Sequence, residues 1–447
     1  MTAPALALVA APGRPTRAGV GVLGAAGTRL LAGPPQSRET LAEHCERLGF
    51  LSLPYTDSAR ESVMKSVAAS GLVGHGGGEF PLVDKLRAAL RASGVPIMVV
   101  NGSESEPASG KDALLLRRRP HLVLDGASLA AAAVGAHRIV VYLHEDTGAT
   151  YSSVMQAVRE RNQLPGVPGI VVTTCASGFV AGESSAIVSV LSGGTPVPRR
   201  RSVPAAVSGI HGRPTVVSNV ETLAHLGLIG RFGADWFTSA GSLGTPGSTL
   251  LTLAGDVTSP GLVVEVSAPV SIGSVLVEHG GLVRPPQAVL IGGYGGRWIS
   301  GDAAWNAPVD RAVLRRAGVN LGCGLIAPLP ADSCGLEVTV RLLGYLAAQS
   351  AGQCGSCVFG LPRLAVDLRA IVEGRATRRD VRRSHELAQS IARRGACAHP
   401  DGAVALLESA LEVFSVDLRH HLRGLPCGRG VAGWFPVPGA SHIGESR

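Results

Sequence analysis

The spacing of apolar and polar residues divides the chain into three regions. From Arg38 to about Asp235, segments with helical spacing alternate with short runs of β-branched residues. Those runs are Ile97–Val100, Ile139–Tyr142 and Ile170–Thr173. Short apolar runs between amphipathic segments are typical of buried strands in an α/β layer. The pattern therefore predicts an α/β domain over residues 38–240.

The pattern changes after Gly241, where the predicted elements become shorter and more β-rich. The predicted strands are Thr249–Leu253, Leu262–Val266 and Ala288–Ile291. Ile272–His279 is predicted as a short helix that ends at two glycines. A small β-rich module with one helix is expected within residues 245–330.

In the last region, residues 331–447, the spacing becomes helical from Leu336 onward. Leu361, Leu364, Leu368 and Ile371 fall on one face of a helix that Gly374 ends. A second apolar face has residues alternately three and four positions apart: Val404, Leu407, Leu411, Phe414 and Leu418. These spacings predict a helical bundle.

Composition narrows the class of protein. Aromatic residues make up only 4% of 447 residues, so the cores must consist mainly of Ala, Val and Leu. The formal charge of +8 is almost entirely arginine, spread in short clusters. That spread favours solvated faces, an acidic partner or a nucleotide phosphate, and without interleaved aromatics no nucleic-acid partner is expected.

Targeting and membrane signals are weak in the sequence. Residues 1–37 are rich in Ala, Pro and Gly and are predicted to be a flexible tail. No basic segment precedes the first apolar stretch, and no apolar run of about 18 residues could cross a membrane. We therefore expect a cytoplasmic protein, not inserted in a membrane, with reduced thiols or metal-bound cysteines.

A glycine-rich loop, Ser70–Pro81, is the first segment with chemical potential. Glycines let backbone N–H groups come close to a phosphate. The loop is not the ordinary dinucleotide fingerprint, because Glu79 occupies the third glycine position. Its spacing fits either a phosphate site or a plain loop.

Three more segments follow in order. Asn101–Pro107 carries two carboxylates at the end of a predicted strand, where they could hold a ribose, a flavin edge or a metal, or simply be solvated. Gly178–Ser185 and Gly212–Thr222 are not diagnostic individually.

Together, the four segments resemble the flavoprotein subunit of respiratory complex I and its relatives in NAD-linked hydrogenases and formate dehydrogenases. That family carries GRGGAGFP, NADEGEP, Y-x-x-G-E-E/S and GKPTTVNNVET segments, and the resemblance runs from about Arg38 to Leu422. It implies an α/β N-terminal flavin domain, a small β-grasp-like (SLBB-type) module and a C-terminal α-helical bundle with an iron–sulfur site. The implied activity is electron transfer from NAD(P)H through FMN and the cluster.

The resemblance also implies site residues, position by position. The implied FMN contacts are Gly74, Gly76, Gly77, Lys85, Asn101, Glu104, Glu183, Asn219 and Thr222. Phe80, Glu106 and Arg201 match positions near the nicotinamide nucleotide. No side chain is implied as a general acid or base, because the cofactors supply the chemistry.

Several positions depart from the family pattern. His75 replaces the loop arginine, Ser103 an aspartate and Phe179 a tyrosine, and Pro204 stands where an aromatic can stack on adenine. Glu79 would place negative charge beside a dinucleotide's diphosphate. These departures therefore favour flavin binding over tight NADH binding.

The C-terminal cysteines carry the metal prediction. Cys354 and Cys357 form a C-x2-C pair, and Cys397 lies beyond the next helices. The family pattern SCGKCTPC has one more cysteine, which here is Ala351. The resemblance implies a 4Fe–4S cluster, for which Cys334, Cys323, His399, an exogenous thiolate or water are the candidate fourth ligands. A 3Fe–4S cluster, held by the three cysteines alone, is the alternative.

Alternatives remain for these thiols. Cys354, Cys357, Cys397 and His399 also form a zinc set, and inert thiols are a third possibility. Cys45, Cys175 and Cys427 are interpreted as packing or surface thiols. The alternative at the level of function is a scaffold that kept the fold and lost its cofactors.

The resemblance implies a partner as well. Because the chain carries no fused ferredoxin-like domain, its acceptor should be a separate protein, ferredoxin-like or a thioredoxin-like 2Fe–2S subunit.

Overall fold

The computed structural model describes residues 20–23, 27–162, 164, 168–199, 203–425 and 427–430. Its first layer contains the strands β2 (Ile97–Asn101), β3 (Arg138–His144), β4 (Gly169–Cys175) and β5 (Thr215–Asn219). They form a parallel sheet in the order β4-β3-β2-β5. All three strands predicted in this region are confirmed. Their apolar runs are continuous because helices cover the sheet.

Eight helices belong to this α/β layer. They are α1 (Leu41–Leu48), α2 (Asp57–Ser70), α3 (Leu82–Arg91), α4 (Lys111–Arg118), α5 (Pro120–Val134), α6 (Gly148–Arg161), α7 (Ser184–Leu191) and α8 (Val220–Thr238). Helix α5 is buried along almost its whole length and packs against α8. The contact depends on Gly126, because a Cβ there would lie 1.7 Å from the carbonyl oxygen of Leu223.

A mixed six-stranded sheet forms the second part. Its strands are β1 (Val20–Leu23), β8 (Thr249–Leu253), β9 (Leu262–Val266), β10 (Ala288–Ile291), β11 (Arg297–Ser300) and β12 (Leu325–Leu329), in the order β1-β9-β8-β12-β10-β11. A two-stranded ribbon, β6 (Gly241–Ser242) and β7 (Thr245–Pro246), precedes β8, and helices α9 (Ile272–Glu278), α10 (Gly301–Asn306) and α11 (Arg311–Arg316) accompany the sheet. The three strands predicted from sequence have the predicted bounds.

The N-terminal segment corrects two expectations. Strand β1 pairs in parallel with β9, so the mixed sheet is not confined to residues 245–330. Leu30 and Leu31 are buried, and their N–H groups donate to the Glu265 carboxylate at 2.8 and 3.0 Å. The prediction of a flexible tail over 1–37 is therefore wrong for residues 20–23 and 27–37. The ordered N-terminal segment could not be predicted from sequence, because its partners on β9 lie more than 200 residues away.

The C-terminal part is helical, as predicted. It consists of α12 (Gly335–Ala348), α13 (Leu361–Val372), α14 (Arg378–Ile391), α15 (His399–Val413) and α16 (Ser415–His421). A π-helical turn over Ser356–Gly360 leads into α13. Leu336, Leu343, Leu364 and Leu407 share its core. Across the described part of the chain, no helix has the length and apolar character needed to span a membrane.

Candidate functional site

The glycine-rich loop connects α2 to α3, and a backbone hydrogen bond joins its two ends. The N–H of Gly74 donates to the carbonyl of Phe80 at 3.0 Å, and the N–H of His75 donates to Thr222 Oγ1 at 2.9 Å. Gly77 has φ +98°, a conformation that favours glycine. A Cβ at Gly77 or Gly78 would have no neighbour within 4 Å among the described residues. The loop is therefore open on the side where a ligand can approach its backbone.

The other side of the loop lies against the start of α8. Asn219 caps this helix by accepting from the N–H of Glu221 at 2.9 Å, and its Nδ2 donates to Asp112 Oδ2 at 2.6 Å. A Cβ on Gly76 would lie 3.2 Å from Asn219 Cβ. Gly76 thus fixes the close approach of the loop to a helix N-terminus, a place that favours anions.

The segment after β2 caps another helix. The carboxylate of Glu104 accepts from the N–H groups of Asp112 and Ala113 at 3.2 and 2.9 Å and from the Ser109 hydroxyl at 2.5 Å. Gly110, at the N-cap of α4, has no side chain to do this. Glu104 therefore fixes the start of α4.

Asn101 connects this segment to the third motif. Its Nδ2 donates to the carbonyl of Gly182 at 2.9 Å. A Cβ on Gly182 would lie 2.6 Å from Ser105 Oγ, so the two segments pack closely. Glu183 caps α7 by accepting from the N–H groups of Ser185 and Ala186 at 2.8 and 3.1 Å.

Lys85 lies beneath the glycine-rich loop. Its Nζ donates to the carbonyl of Val217 at 3.2 Å, and burial lowers its pKa. The Phe80 ring, 51% exposed, is 5.9 Å from this Nζ. An exposed aromatic ring therefore stands beside the open face of the loop.

Three predicted cysteines converge in the helical part. Cys354, Cys357 and Cys397 line one pocket, together with Ala351 and His399. Burial works against ionisation of Cys354, but hydrogen bonds from the Ala396 and Cys357 backbones to its sulfur lower its pKa below the usual value. Burial raises the pKa of Cys357 to about 12. Cys354 is therefore the most readily ionised of the three thiols, and a metal ion bound here would have to displace the protons of the others.

The structure separates the proposed fourth ligands. Cys323 Sγ lies 3.5 Å from the carbonyl of Gly292, and Cys334 Sγ lies 3.5 Å from His421 Nε2; neither cysteine lines the pocket. His399 does line it. Its Nε2 is 2.7 Å from the carbonyl of Leu346 and must donate there, which leaves Nδ1 as the acceptor nitrogen. This buried Nδ1 has no partner among the described residues.

The cysteine pocket borders the segment that carries the third motif. Val180 and Pro198 form part of the pocket wall, and the N–H of Phe179 donates to Gln349 Oε1 at 3.1 Å. Two residues beyond Val180, Gly182 accepts the hydrogen bond from Asn101. One short loop therefore contacts both the cysteine pocket and the residues around the glycine-rich loop.

Comparison with known proteins identifies the family. Residues 67–227 match the Nuo51 FMN-binding domain, and residues 337–421 match the iron–sulfur binding region of NADH-ubiquinone oxidoreductase F. The F subunit of NADH-quinone oxidoreductase of Streptomyces coelicolor is 31% identical, with 83% of this chain and 85% of that protein covered. The chain belongs to the family of NADH-quinone oxidoreductase F subunits. The predicted resemblance is thus confirmed.

Other relatives give the same picture. The F 2 subunit of NADH-quinone oxidoreductase of Rhizobium meliloti is 29% identical over 82% of this chain and 90% of that protein. The fold also matches the crystal structure of an NAD+-reducing NiFe hydrogenase in the H2-reduced state, with a TM-score of 0.74 and 25% identity. That match covers 81% of this chain and 62% of the hydrogenase chain.

The residues fit the cofactors of this family. The space above Gly77 and Gly78 admits a ligand to the loop backbone, as an FMN phosphate or ring requires. Three thiols and an unpartnered imidazole nitrogen around one pocket, all within the described residues, fit an iron–sulfur cluster.

Glu79 was expected to place an uncompensated negative charge beside a bound diphosphate, but the structure pairs it with two arginines. Its carboxylate is paired with Arg311 at 3.0 Å and with Arg315, and its side chain is only 8% exposed. The negative charge is therefore compensated within the protein. Glu79 therefore repels a neighbouring diphosphate less than the sequence indicates. The pairing could not be predicted, because Arg311 is 232 residues away in the chain.

The predicted nucleotide residues have different surroundings. Glu106 is buried against the Gly292–Gly296 loop, where one carboxylate oxygen accepts from the N–H of Tyr294 at 2.9 Å. Burial raises the pKa of Glu106 to about 8. Arg201 lies outside the described residues, so its role remains a prediction.

Sequence reasoning missed a buried network under the site. Lys111 Nζ lies 2.8 Å from Glu221 Oε2 and 2.9 Å from Asp112 Oδ1. Burial lowers the pKa values of the nearby His75 and His225 and keeps both imidazoles neutral. Burial alone would lower the pKa of Lys111, but Asp112 and Glu221 raise it. The one available signal was the rarity of lysine in this chain.

Proposed function

We propose that this chain oxidises NAD(P)H at FMN, passes the electrons to an iron–sulfur cluster and delivers them to a separate acceptor protein. The observation that carries the proposal is the shared loop. Val180 lines the cysteine pocket, and Gly182 lies against Asn101 and Ser105 beside the glycine-rich loop. A loop shared by the two proposed cofactor sites supports electron transfer between them.

When bound, FMN would supply hydride acceptance and the cluster one-electron transfer. The protein's part is to bind and orient. The backbone of Gly74, Gly76 and Gly77 would face the flavin, while Asn101 and Asn219 would position its polar groups. Glu104, Glu183 and Thr222 would act through the elements that they fix, since their polar atoms already hold α4, α7 and the loop. Lys85, which donates to the carbonyl of Val217 on β5, would place its charge near the flavin.

The nucleotide would enter at the open face of the loop. Phe80 is the exposed ring there and would stack against the nicotinamide nucleotide. Glu106 shapes the inner wall, and Arg201 is proposed to contact a phosphate. Whether the nucleotide is NADH or NADPH is tested by anaerobic mixing with each, with bleaching of flavin absorbance as the readout.

Flavin binding is tested most sharply at Gly78. Because a Cβ there meets no described atom within 4 Å, Gly78→Leu should leave the fold intact and fill the ligand space. We expect FMN affinity to fall at least about tenfold, measured by quenching of FMN fluorescence, with an unchanged unfolding midpoint. Gly344→Leu, on an exposed position of α12 with equal space, is the matched control. Equal FMN affinity in both variants would contradict the site, and absence of FMN and iron from the native protein would favour the scaffold alternative.

For the cluster, we propose Cys354, Cys357 and Cys397 as three ligands and His399 Nδ1 as the fourth, in place of the family cysteine at Ala351. The support is that His399 lines the pocket with a buried acceptor nitrogen and no partner within the described structure. The hydrogen bond from Nε2 to Leu346 orients the ring, as outer partners of ligating histidines commonly do.

The cluster proposal has a spectroscopic test. Anaerobic protein should contain iron and sulfide, and the reduced cluster should show nitrogen hyperfine coupling in pulsed EPR. His399→Ala should remove the coupling, and Ala351→Cys combined with His399→Ala should restore a stable cluster without it. Coupling that survives His399→Ala would exclude His399, and stoichiometric zinc without sulfide would establish the zinc alternative.

The acceptor is proposed to be a separate thioredoxin-like or ferredoxin-like 2Fe–2S protein in the cytoplasm. The relatives are named as subunits, which supports a partner. Phe359, 76% exposed, lies two residues after Cys357 and offers an apolar contact next to the cluster pocket. Phe359→Ser should slow reduction of a 2Fe–2S acceptor at unchanged flavin and iron content; an unchanged rate would place the docking surface elsewhere.

A further inference from the structure

A second group of thiol and imidazole ligands lies apart from the cluster pocket. Cys334 Sγ, a nitrogen of His421 and Cys427 Sγ all lie within 4.8 Å of one another. They come from three separate places: the N-cap of α12, the last residue of α16 and the segment after it. The sequence interpretation of Cys427 as a packing or surface thiol missed this convergence.

The group is held in place by the backbone around it. The N–H of Cys334 donates to the carbonyl of Gly430 at 2.9 Å, and the N–H of Gly430 donates to the carbonyl of Asp332 at 2.8 Å. These bonds pin the chain just beyond Cys427 to the start of α12. A ligand set fixed by its surroundings loses little conformational entropy on binding a metal.

Cys334 lies at the start of α12, where the backbone N–H groups of Leu336 and Glu337 donate to its sulfur. Burial outweighs these hydrogen bonds and raises the pKa of the thiol, so binding of a metal ion must displace its proton. His421 is buried and its Nε2 lies 3.5 Å from this sulfur. An imidazole next to two sulfurs is not required for packing or for a disulfide, but it completes a ligand set.

A cavity leaves room for a fourth ligand. It has a volume of about 320 Å³ and is lined by the three ligands and by Glu337, Glu373 and Arg429. Two thiolates, one imidazole and an open position match the ligand types and number of tetrahedral zinc sites.

We propose that Cys334, His421 and Cys427 bind one zinc ion, whose fourth ligand is a water molecule in this cavity. The zinc ion fastens residues 427–430 to α12 and α16. This inference is independent of the proposed electron transfer, because none of these residues lines the cluster pocket.

The test uses the full-length protein, purified anaerobically with its cluster, stripped of zinc under reducing conditions and then titrated with Zn²⁺. We expect one equivalent of zinc in addition to the iron, measured by elemental analysis. Cys334→Ser, His421→Ala and Cys427→Ser should each lose that zinc at unchanged iron content. Cys45→Ser, at a half-buried cysteine on α1, should keep it.

A second readout does not depend on the variants folding. In the unmutated protein, Zn²⁺ should slow alkylation of Cys334 and Cys427 at least about tenfold, measured by mass spectrometry of their peptides, and should leave Cys45 unaffected. Equal alkylation with and without Zn²⁺ would overturn the proposal. So would zinc retained by all three ligand variants, or a Cys334–Cys427 disulfide in protein that takes up no zinc after reduction.

Discussion

Individual residues at the flavin site show how an unfavourable substitution becomes acceptable. Glu79 has φ +44°, which costs a non-glycine residue about 1–2 kcal/mol. Against this, removal of the glutamate would leave Arg311, 5% exposed, without its carboxylate partner. Breaking a buried pair costs about 3–5 kcal/mol, so the ion pair outweighs the strain. Glu79 is therefore a structural part of this loop.

Glu106 gives a prediction about pH. Because burial raises its pKa from the ordinary 4.5 to about 8, the folded state binds this proton more tightly than the unfolded state. Its contribution to stability is fully present below pH 4.5 and is lost as pH rises to about 8. Each pKa unit corresponds to about 1.4 kcal/mol, so the loss amounts to several kcal/mol. Glu106→Gln should flatten the dependence of the urea midpoint on pH between about 5 and 8.

The control for this measurement is Glu145→Gln, at an exposed glutamate, which should leave the pH dependence as it is in the native protein. If Glu106→Gln and Glu145→Gln gave parallel curves over this range, Glu106 would ionise in the folded state like an exposed carboxylate, and its proposed protonation would be wrong.

At the scale of elements, three helices begin around the proposed flavin site. Helices α4, α7 and α8 are capped by Glu104, Glu183 and Asn219, all residues expected from the resemblance to contact FMN. Helix N-termini present N–H groups and partial positive charge to the ligand space. In the proposed flavin site, the caps would contribute to binding by fixing where these helices start.

The element scale also explains what could be predicted from sequence. Three predicted strands have their predicted bounds because each is a short, mainly apolar run between turn residues: Thr249–Leu253, Leu262–Val266 and Ala288–Ile291. The cap of α4 could not be predicted, since Glu104 lies seven residues before Lys111 and no local capping pattern connects them. Pairs such as Glu79 with Arg311, and Cys334 with Cys427, depend on tertiary contacts and have no local signal.

The cap of α4 gives the second prediction. Glu104→Gln retains one acceptor oxygen but loses the charge that faces the helix N-terminus, so it should destabilise the protein by about 1–2 kcal/mol. FMN affinity should fall only modestly, about threefold or less, if Glu104 acts through α4. Chemical unfolding and FMN fluorescence titration measure the two effects on the same sample.

Thr40→Ala is the matched control, because Thr40 caps α1 with a capping box outside the proposed flavin contacts. It should cost about 1 kcal/mol of stability and leave FMN affinity unchanged. A large loss of FMN affinity in Glu104→Gln at native stability would instead make Glu104 a direct flavin ligand.

At the scale of the whole molecule, the N-terminal segment connects the α/β layer to the mixed sheet. Glu265 on β9 is fully buried and accepts from the N–H groups of Arg29, Leu30 and Leu31. The Arg29 guanidinium lies 4.0 Å above the Trp236 ring on α8 and donates to the Trp236 carbonyl at 2.6 Å. Residues just before the α/β layer in the sequence therefore connect it to a strand more than 200 residues further along the chain.

Arg119 fixes the same segment from the other side. This buried side chain donates to the carbonyls of Leu31, Ala32 and Pro34 at 3.0, 2.6 and 2.6 Å. The buried guanidinium of Arg119 and the buried carboxylate of Glu265 thus both form hydrogen bonds with the backbone of residues 29–34. Without it, each would be left with unsatisfied polar atoms in the interior.

Removal of residues 1–37 should therefore destabilise the protein by about 5 kcal/mol or more. Two buried leucines contribute about 1.5–3 kcal/mol each, and each unsatisfied buried group costs about 1–3 kcal/mol. Chemical unfolding of the truncated and full-length proteins measures the loss. Glu265→Gln separates the causes: if the stranded carboxylate matters, the truncation should cost less in a Glu265→Gln background, because a neutral amide is less costly to bury. An unfolding midpoint unchanged by the truncation would mean that the α/β layer and the mixed sheet hold together through their direct contacts, with Glu265 protonated and tolerated in the interior.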